Sequence, residues 1–155
     1  MSNSLLVRLR ALVPTVERFV TPAAQLITRL VFGQSFVLTG LGKLQNLDRT
    51  TAFFADLGIP LPSLQAPMVG TLELVGGALL MLGLGTRISA ALLTCTMLVA
   101  LATAHLGQLP DALTFAESFD SIAPLPYLVA TLWLLAMGGG RFALDRWFTA
   151  VSRRD

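Results

Sequence analysis

Four apolar stretches constrain the fold of this 155-residue chain more than any other feature of its sequence. They cover residues 24–44, 66–84, 88–106 and 122–139. A helix rises about 1.5 Å per residue, so each stretch is long enough to cross a hydrocarbon layer about 30 Å thick. Hydrophobic residues make up 54% of the chain and charged residues 13%, a composition outside the range of soluble domains. The sequence therefore predicts an all-α fold, a bundle of four transmembrane helices.

Basic residues predict how these helices are oriented. Arginines precede the first span and follow the last one, and Arg87 lies in the short loop between the second and third spans. The loop at 107–121 carries no basic residue. Because loops rich in lysine and arginine stay in the cytoplasm, we expect both chain ends on that side, an N-in/C-in topology.

The N-terminal segment predicts a separate helix. Residues 1–21 place apolar side chains at near-helical spacing among arginines, which indicates an amphipathic helix on the inner membrane surface. Thr21 and Pro22 suit the N-cap and the first residue of a new helix. We therefore expect the four-helix membrane domain to cover residues 22–148.

The first outer loop and the C-terminal segment each carry a further prediction. In the first outer loop, residues 48–57 predict a short helix that ends at Gly58. Phe53 and Phe54 of that helix are expected to enter the membrane interface. After the last span, residues 149–155 are expected to form a basic cytoplasmic tail.

One acidic residue, Glu73, lies inside the second span. Gly70 and Gly77 are three and four residues away, so the carboxylate lies on the small-residue face of that helix. Small residues let membrane helices approach closely, and we therefore expect Glu73 to face another helix. A buried carboxylate costs several kcal/mol unless it is protonated, hydrated or paired, so a partner is expected at similar depth.

Three basic side chains are candidate partners for Glu73. Arg29 and Lys43 lie on the glycine-bearing face of the first span, toward its inner and outer ends. Glu73 sits roughly 3 Å outward of the midplane, which favours Lys43. His105, the only histidine, lies at the outer end of the third span and is the second partner to test.

A cluster of Glu73, Lys43 and His105 beside a cavity would carry the groups needed for proton exchange. A histidine titrates near neutral pH, and a lysine stabilises negative charge on oxygen. We therefore predict these three as catalytic residues, and Glu73 and Lys43 also as contacts for a cofactor such as a quinone carbonyl. The alternatives are a structural hydrogen bond for Glu73, an anchoring role for Lys43 and an interfacial, water-bound His105.

Other classes of function lack support in the sequence. The formal net charge is only +2, with no basic stripe, so we expect no nucleic-acid binding. Cys95 is the only cysteine and supplies no redox pair, and with one histidine it makes no metal ligand set, so no metal site is predicted. Cys95 and Met97 are expected to face the bundle or lipid. The chain alone is expected to carry no electrons.

Four segments stand in a characteristic order along the chain: RLVFGQSFVLTGLGKL, FFADLGIPLP, GTLELVGGALLMLGLGTR and GGGRFALD. Together they resemble the DoxX family of small four-helix membrane proteins, from Arg29 to Asp145. Gly139 stands where relatives often have proline. The family's recurrent positions correspond here to Gly33, Gly40, Lys43, Glu73, Gly76, Gly77, Gly83 and Arg87.

The resemblance implies a multi-pass protein of a bacterial or archaeal cytoplasmic membrane, in contact with the bilayer. The family is named for a subunit of an archaeal thiosulfate:quinone oxidoreductase. It therefore implies at most a subunit of a quinone-linked redox complex, with the other subunits as partners and a quinone as cofactor. The alternatives are a non-catalytic scaffold or assembly factor, in which the same residues lock the helices together, and a small-solute carrier. The glycine faces also permit a homo-oligomer.

Overall fold

The computed structural model is all-helical over the residues that it describes, which are 2–107, 109 and 122–146, with side chains from residue 18 onward. The helices are α1 (Ser2–Gln45), α2 (Leu47–Asp56), α3 (Pro62–Leu82), α4 (Thr86–Ala104) and α5 (Pro124–Met137). The predicted basic tail and most of the third connecting loop lie outside the described residues.

The long helices occupy the apolar stretches of the sequence. α3 and α4, with 21 and 19 residues, are long and apolar enough to cross a membrane, whereas α5 is an apolar helix of 14 residues. α1 has 44 residues and runs through the first apolar stretch. The fold therefore contains two clear apolar spans and two further helices that pack with them.

The predicted helix start at Thr21 and Pro22 is wrong. α1 continues through both residues from Ser2, so no N-cap separates an interfacial helix from the first apolar stretch. A proline inside a helix removes one backbone donor and its ring crowds the carbonyl four residues earlier, which breaks or kinks many helices, but α1 continues past Pro22. The amphipathic pattern predicted for residues 1–21 concerns side chains that are largely outside the described set.

The short helix predicted in the first loop is present as α2. It ends at Asp56, and Gly58 follows with a φ of +70°, a conformation that glycine adopts without a Cβ penalty. The backbone N–H of Gly58 donates to the carbonyl of Ala55 at 2.9 Å, which closes the last turn. α2 therefore begins and ends within one residue of the predicted positions.

α1 and α3 cross in backbone contact at two pairs of glycines. A Cβ added to Gly77 would lie 2.6 Å from the carbonyl oxygen of Gly33, and one added to Gly40 would lie 2.6 Å from the carbonyl oxygen of Gly70. These distances leave no room for a methyl group. The small-residue faces therefore bring the two helices together, as small residues do within membranes.

The remaining helices pack around this pair. One buried cluster joins α1, α3, α4 and α5, with Phe36, Leu80, Leu93 and Leu134 at 1% exposure or less. Large apolar side chains remain exposed on the outer faces of these helices, among them Ile27, Leu38, Val75, Ile88 and Val129. An apolar exterior of this kind suits contact with lipid rather than with water.

We expect Gly77→Ala to weaken the α1–α3 contact, because its Cβ would also lie 2.8 Å from the Cβ of Phe36. The free energy of unfolding in detergent should fall by about 1–3 kcal/mol. Gly42→Ala is the matched control, since nothing lies within 4 Å of a Cβ there. Equal unfolding midpoints for the two variants would contradict this packing.

Candidate functional site

Glu73 and Lys43 form an ion pair between α3 and α1. The Lys43 ammonium donates directly to a carboxylate oxygen of Glu73. The Glu73 side chain is 3% exposed and that of Lys43 is 28% exposed. This is the pairing that the depth argument from the sequence favoured, and it is made possible by the nearby contact of Gly40 with Gly70.

The pairing explains how a carboxylate is accommodated inside an apolar helix. An unpaired carboxylate in a low-dielectric interior carries a large desolvation cost, which a contacting ammonium offsets. Lys43 lies in the last turn of α1, where a positive charge also interacts favourably with the helix dipole. The Lys43 side chain remains partly exposed in this contact.

Lys43 and Glu73 both border a cavity of about 460 Å³ at the same end of the bundle. Residues from all five helices line it, and most of the side chains are apolar. His105, the residue that follows the last turn of α4, also borders it. The structure therefore brings the three predicted site residues, Glu73, Lys43 and His105, to the wall of one cavity.

Aromatic and sulfur-containing residues of the cavity wall were missed by sequence reasoning. They are Phe36, Phe53, Phe54, Tyr127, Met68, Cys95 and Met97. Phe54 is buried at 8%, so its predicted placement at the membrane interface is wrong, whereas Phe53 is 53% exposed and its placement there stays a prediction. Helical spacing could have indicated Phe36, which shares a face with Lys43, but no local signal shows which side of α4 or α5 meets the cavity.

Arg29 belongs to a different cluster, at the opposite end of the bundle. Its side chain is 1% exposed, and its guanidinium donates to the carbonyls of Leu80 at 2.9 Å, Met81 at 3.0 Å and Gly139 at 2.6 Å. The last carbonyls of a helix lack partners within it, and α3 ends at Leu82. Arg29 thus binds carbonyls in the last turn of α3 and the Gly139 carbonyl that follows α5, and it is not the partner of Glu73.

Asp145 closes the same end from the other side. Its carboxylate accepts hydrogen bonds from the backbone N–H groups of Gly85 at 2.5 Å and Thr86 at 2.9 Å, where α4 begins. Burial alone would raise the pKa of Asp145. The bonds from Thr86 and Gly85, together with the nearby Arg29, outweigh burial and hold that pKa below its usual value.

The side chains of Gln25 and Arg87 complete the cluster at this end of the bundle. The Gln25 amide lies 3.3 Å from the carbonyls of both Met137 and Gly138, and Arg87 donates to the carbonyl of Ala136 at 3.2 Å. These contacts hold the end of α5 against α1 and α4. This cluster consists of hydrogen bonds between side chains and backbone groups at helix termini, so it holds the helices together.

Comparisons with known proteins identify relatives of this chain. The sequence model of a family described as DoxX matches residues 24–106. The chain is 35% identical over 122 residues to the Bacillus subtilis protein named "Putative oxidoreductase CatD", covering 77% of this chain and 83% of that protein. It is 33% identical over 132 residues to the Mycobacterium tuberculosis protein named "Uncharacterized membrane protein Rv3486", covering 81% of each.

A third relative is the Escherichia coli protein named "Inner membrane protein YphA". It is 30% identical over 135 residues, which cover 81% of this chain and 90% of that protein. No solved structure matches the chain.

We expect Asp145→Asn to lower the free energy of unfolding by about 1 kcal/mol near neutral pH, because the start of α4 loses an anionic cap. Since folding lowers this pKa, the stabilisation is complete above the ordinary value of 3.8 and is lost as the pH falls through the lower folded value. Unfolding titrations should therefore converge for the two proteins on acidification. Asp56→Asn, at an exposed site, is the control. If the difference in unfolding free energy between the native protein and Asp145→Asn grew in acid, the role of Asp145 as a cap would be wrong.

We expect Lys43 and Glu73 to be energetically coupled. Lys43→Met and Glu73→Gln should each cost about 2 kcal/mol, less than for a fully buried pair because Lys43 is partly exposed. The double variant should cost less than the sum by about 1 kcal/mol or more. A cycle of unfolding free energies in one detergent measures this, and strictly additive costs would mean that the contact does not stabilise the fold.

Proposed function

The chain belongs to the DoxX family of membrane proteins, and on this basis we propose that it is a quinone-binding accessory subunit of a membrane redox complex. The observation that carries the proposal is the Lys43–Glu73 pair at the wall of a large apolar cavity. Such a cavity offers a lipophilic ligand both a non-polar enclosure and a charged contact.

The dimensions and chemistry of the cavity suit a quinone head group. Its volume of about 460 Å³ falls within the range of small-molecule sites, which are mostly apolar with a few placed polar groups. The Lys43 side chain is partly exposed and borders the cavity, and its ammonium has three N–H donors, so it can donate to a carbonyl oxygen of a ligand while it keeps its contact with Glu73. A charge-assisted bond of this kind is stronger than one between neutral groups.

Reduction of a quinone to a quinol takes up two electrons and two protons. In this proposal Lys43 stabilises negative charge that develops on the oxygen, and Glu73 exchanges a proton with the same site. His105, at the outer rim, passes protons between the cavity and the surface. The apolar walls keep bulk water away from the oxygen, and the electrons come from a partner subunit.

The accessory role follows from the composition of the chain. A single cysteine and a single histidine do not supply a redox pair or the ligands of an electron-carrying centre. One relative, the Bacillus subtilis protein, carries the word oxidoreductase in its name. A subunit that binds the quinone and receives electrons from a neighbouring subunit accommodates both facts.

The proposal places α1, α3, α4 and α5 across a bacterial cytoplasmic membrane with both chain ends inside. Arg87, Arg141 and Arg146 lie at the end where α3 and α5 finish, as the positive-inside rule requires of a cytoplasmic face. The cavity and α2 then lie toward the outer face. α5 spans only about 21 Å as a helix, so its flanking turns would complete the crossing.

The test uses Cys95, the only cysteine, which borders the cavity and is exposed. A para-quinone whose ring carbons are fully substituted and which carries a decyl tail should slow alkylation of Cys95 by N-ethylmaleimide. The rate should drop about tenfold at ten times the Kd. Lys43→Met should raise that Kd about tenfold or more, because a charge-assisted bond is lost, while Lys43→Arg retains most of the affinity.

The outcomes separate the competing functions. Protection that depends on Lys43 supports quinone binding. If the quinone protects Cys95 in neither protein, and Lys43→Met loses a co-purifying partner while it stays inserted in the membrane, the pair serves as a structural lock and the scaffold function replaces the proposed one.

A further inference from the structure

Tyr127 is held rigidly at the cavity by two aromatic contacts. It lies in the first turn of α5, and its ring meets those of Phe32 and Phe36 on α1 edge to face. The centroid distances are 5.5 and 5.0 Å, and the interplanar angles are 86° and 77°. Two such contacts leave the ring little freedom to rotate away from the cavity that it borders.

The phenol of Tyr127 is available to a ligand. In the part of the chain that the structure describes, the Tyr127 hydroxyl makes no hydrogen bond, whereas the backbone carbonyl of Tyr127 accepts one from Thr131. A phenol at an apolar wall usually finds a partner, because an unpaired hydroxyl loses its bond to water. The hydroxyl is thus a second donor on the cavity wall, on a different helix from Lys43.

The two donors lie at different depths. In the α1–α3 crossing, Gly70 meets Gly40 and Gly77 meets Gly33, so Glu73 lies level with the residues that follow Phe36 in α1. The Tyr127 ring packs between the levels of Phe32 and Phe36 and is therefore deeper by one helical turn, roughly 5 Å. The offset lets the two donors contact different oxygens of one ligand.

We propose that the Tyr127 hydroxyl donates a hydrogen bond to the inner oxygen of the ligand while Lys43 contacts the outer one. The site then selects rings with two oxygen acceptors at opposite positions over rings with one. This inference rests on the proposed quinone-binding function and assigns its specificity to Tyr127, held in place by Phe32 and Phe36.

The test compares two ligands against Tyr127→Phe, which keeps the ring and its contacts with Phe32 and Phe36. One ligand is a naphthoquinone with a methyl and a decyl group on its quinone ring carbons, and the other is the matched tetralone, which has one carbonyl. Tyr127→Phe should weaken binding of the naphthoquinone about three- to tenfold, the effect of one hydrogen bond, and leave binding of the tetralone unchanged. Both Kd values come from protection of Cys95.

A second variant tests the positioning of the ring. Phe32 does not line the cavity, so Phe32→Leu removes one ring contact and leaves every wall residue in place. It should reduce the preference for the naphthoquinone over the tetralone, whereas Phe142→Leu, at a residue 62% exposed, should not.

Each outcome has one meaning. Equal naphthoquinone affinity in wild type and Tyr127→Phe would overturn the role of Tyr127 and leave the Lys43 contact standing. An equal loss for both ligands would also overturn it, because the hydroxyl would then not distinguish one acceptor from two. Failure of wild type to bind the naphthoquinone would overturn both this inference and the proposed function.

Discussion

The site of Lys43 and Glu73 depends on the backbone contact between α1 and α3. Gly33 and Gly40 on one helix meet Gly77 and Gly70 on the other at distances that exclude a Cβ. Only at this separation does the stem of Lys43 bring its ammonium back to Glu73, which is 3% exposed. The same two helices also line the cavity, through Phe36 and Lys43 of α1 and Glu73 of α3.

The two ends of the bundle use polar groups in opposite ways. At the end where α3 and α5 finish, backbone groups at helix termini bond to the side chains of Arg29, Gln25 and Asp145, so these polar side chains stabilise the fold. At the opposite end, Lys43 and Glu73 bond side chain to side chain, and both residues border a cavity. A charged group whose hydrogen bonds all go to backbone groups stabilises the fold, whereas a charged group that lines an apolar cavity can also contact a ligand.

Several features of this arrangement were predictable from the sequence because they follow from helical geometry. Spacing places Glu73 among glycines, and its depth along the helix favours Lys43 over Arg29 as its partner. The short helix α2 and the glycine that follows it at Gly58 were predictable for a similar reason, because both depend on residues that are close together in the sequence. By contrast, the predicted break at Thr21 and Pro22 was wrong, since a local capping signal does not reveal whether the helix can simply continue through it.

What the sequence by itself determined is the class of fold and the apolar faces of the helices, since each of these follows from composition or from periodicity along a single helix. It favoured Lys43 as the partner of Glu73, and the tertiary structure decided that pairing. What only the tertiary structure decided is the use of Arg29 as a cap, the cavity and its aromatic wall. The acceptors of Arg29 are backbone carbonyls, which every residue has and which carry no sequence signal. The cavity depends on how α5 packs against α4 and α1, and part of that packing is the contact of Tyr127 with Phe32 and Phe36, 91 or more positions away in the chain.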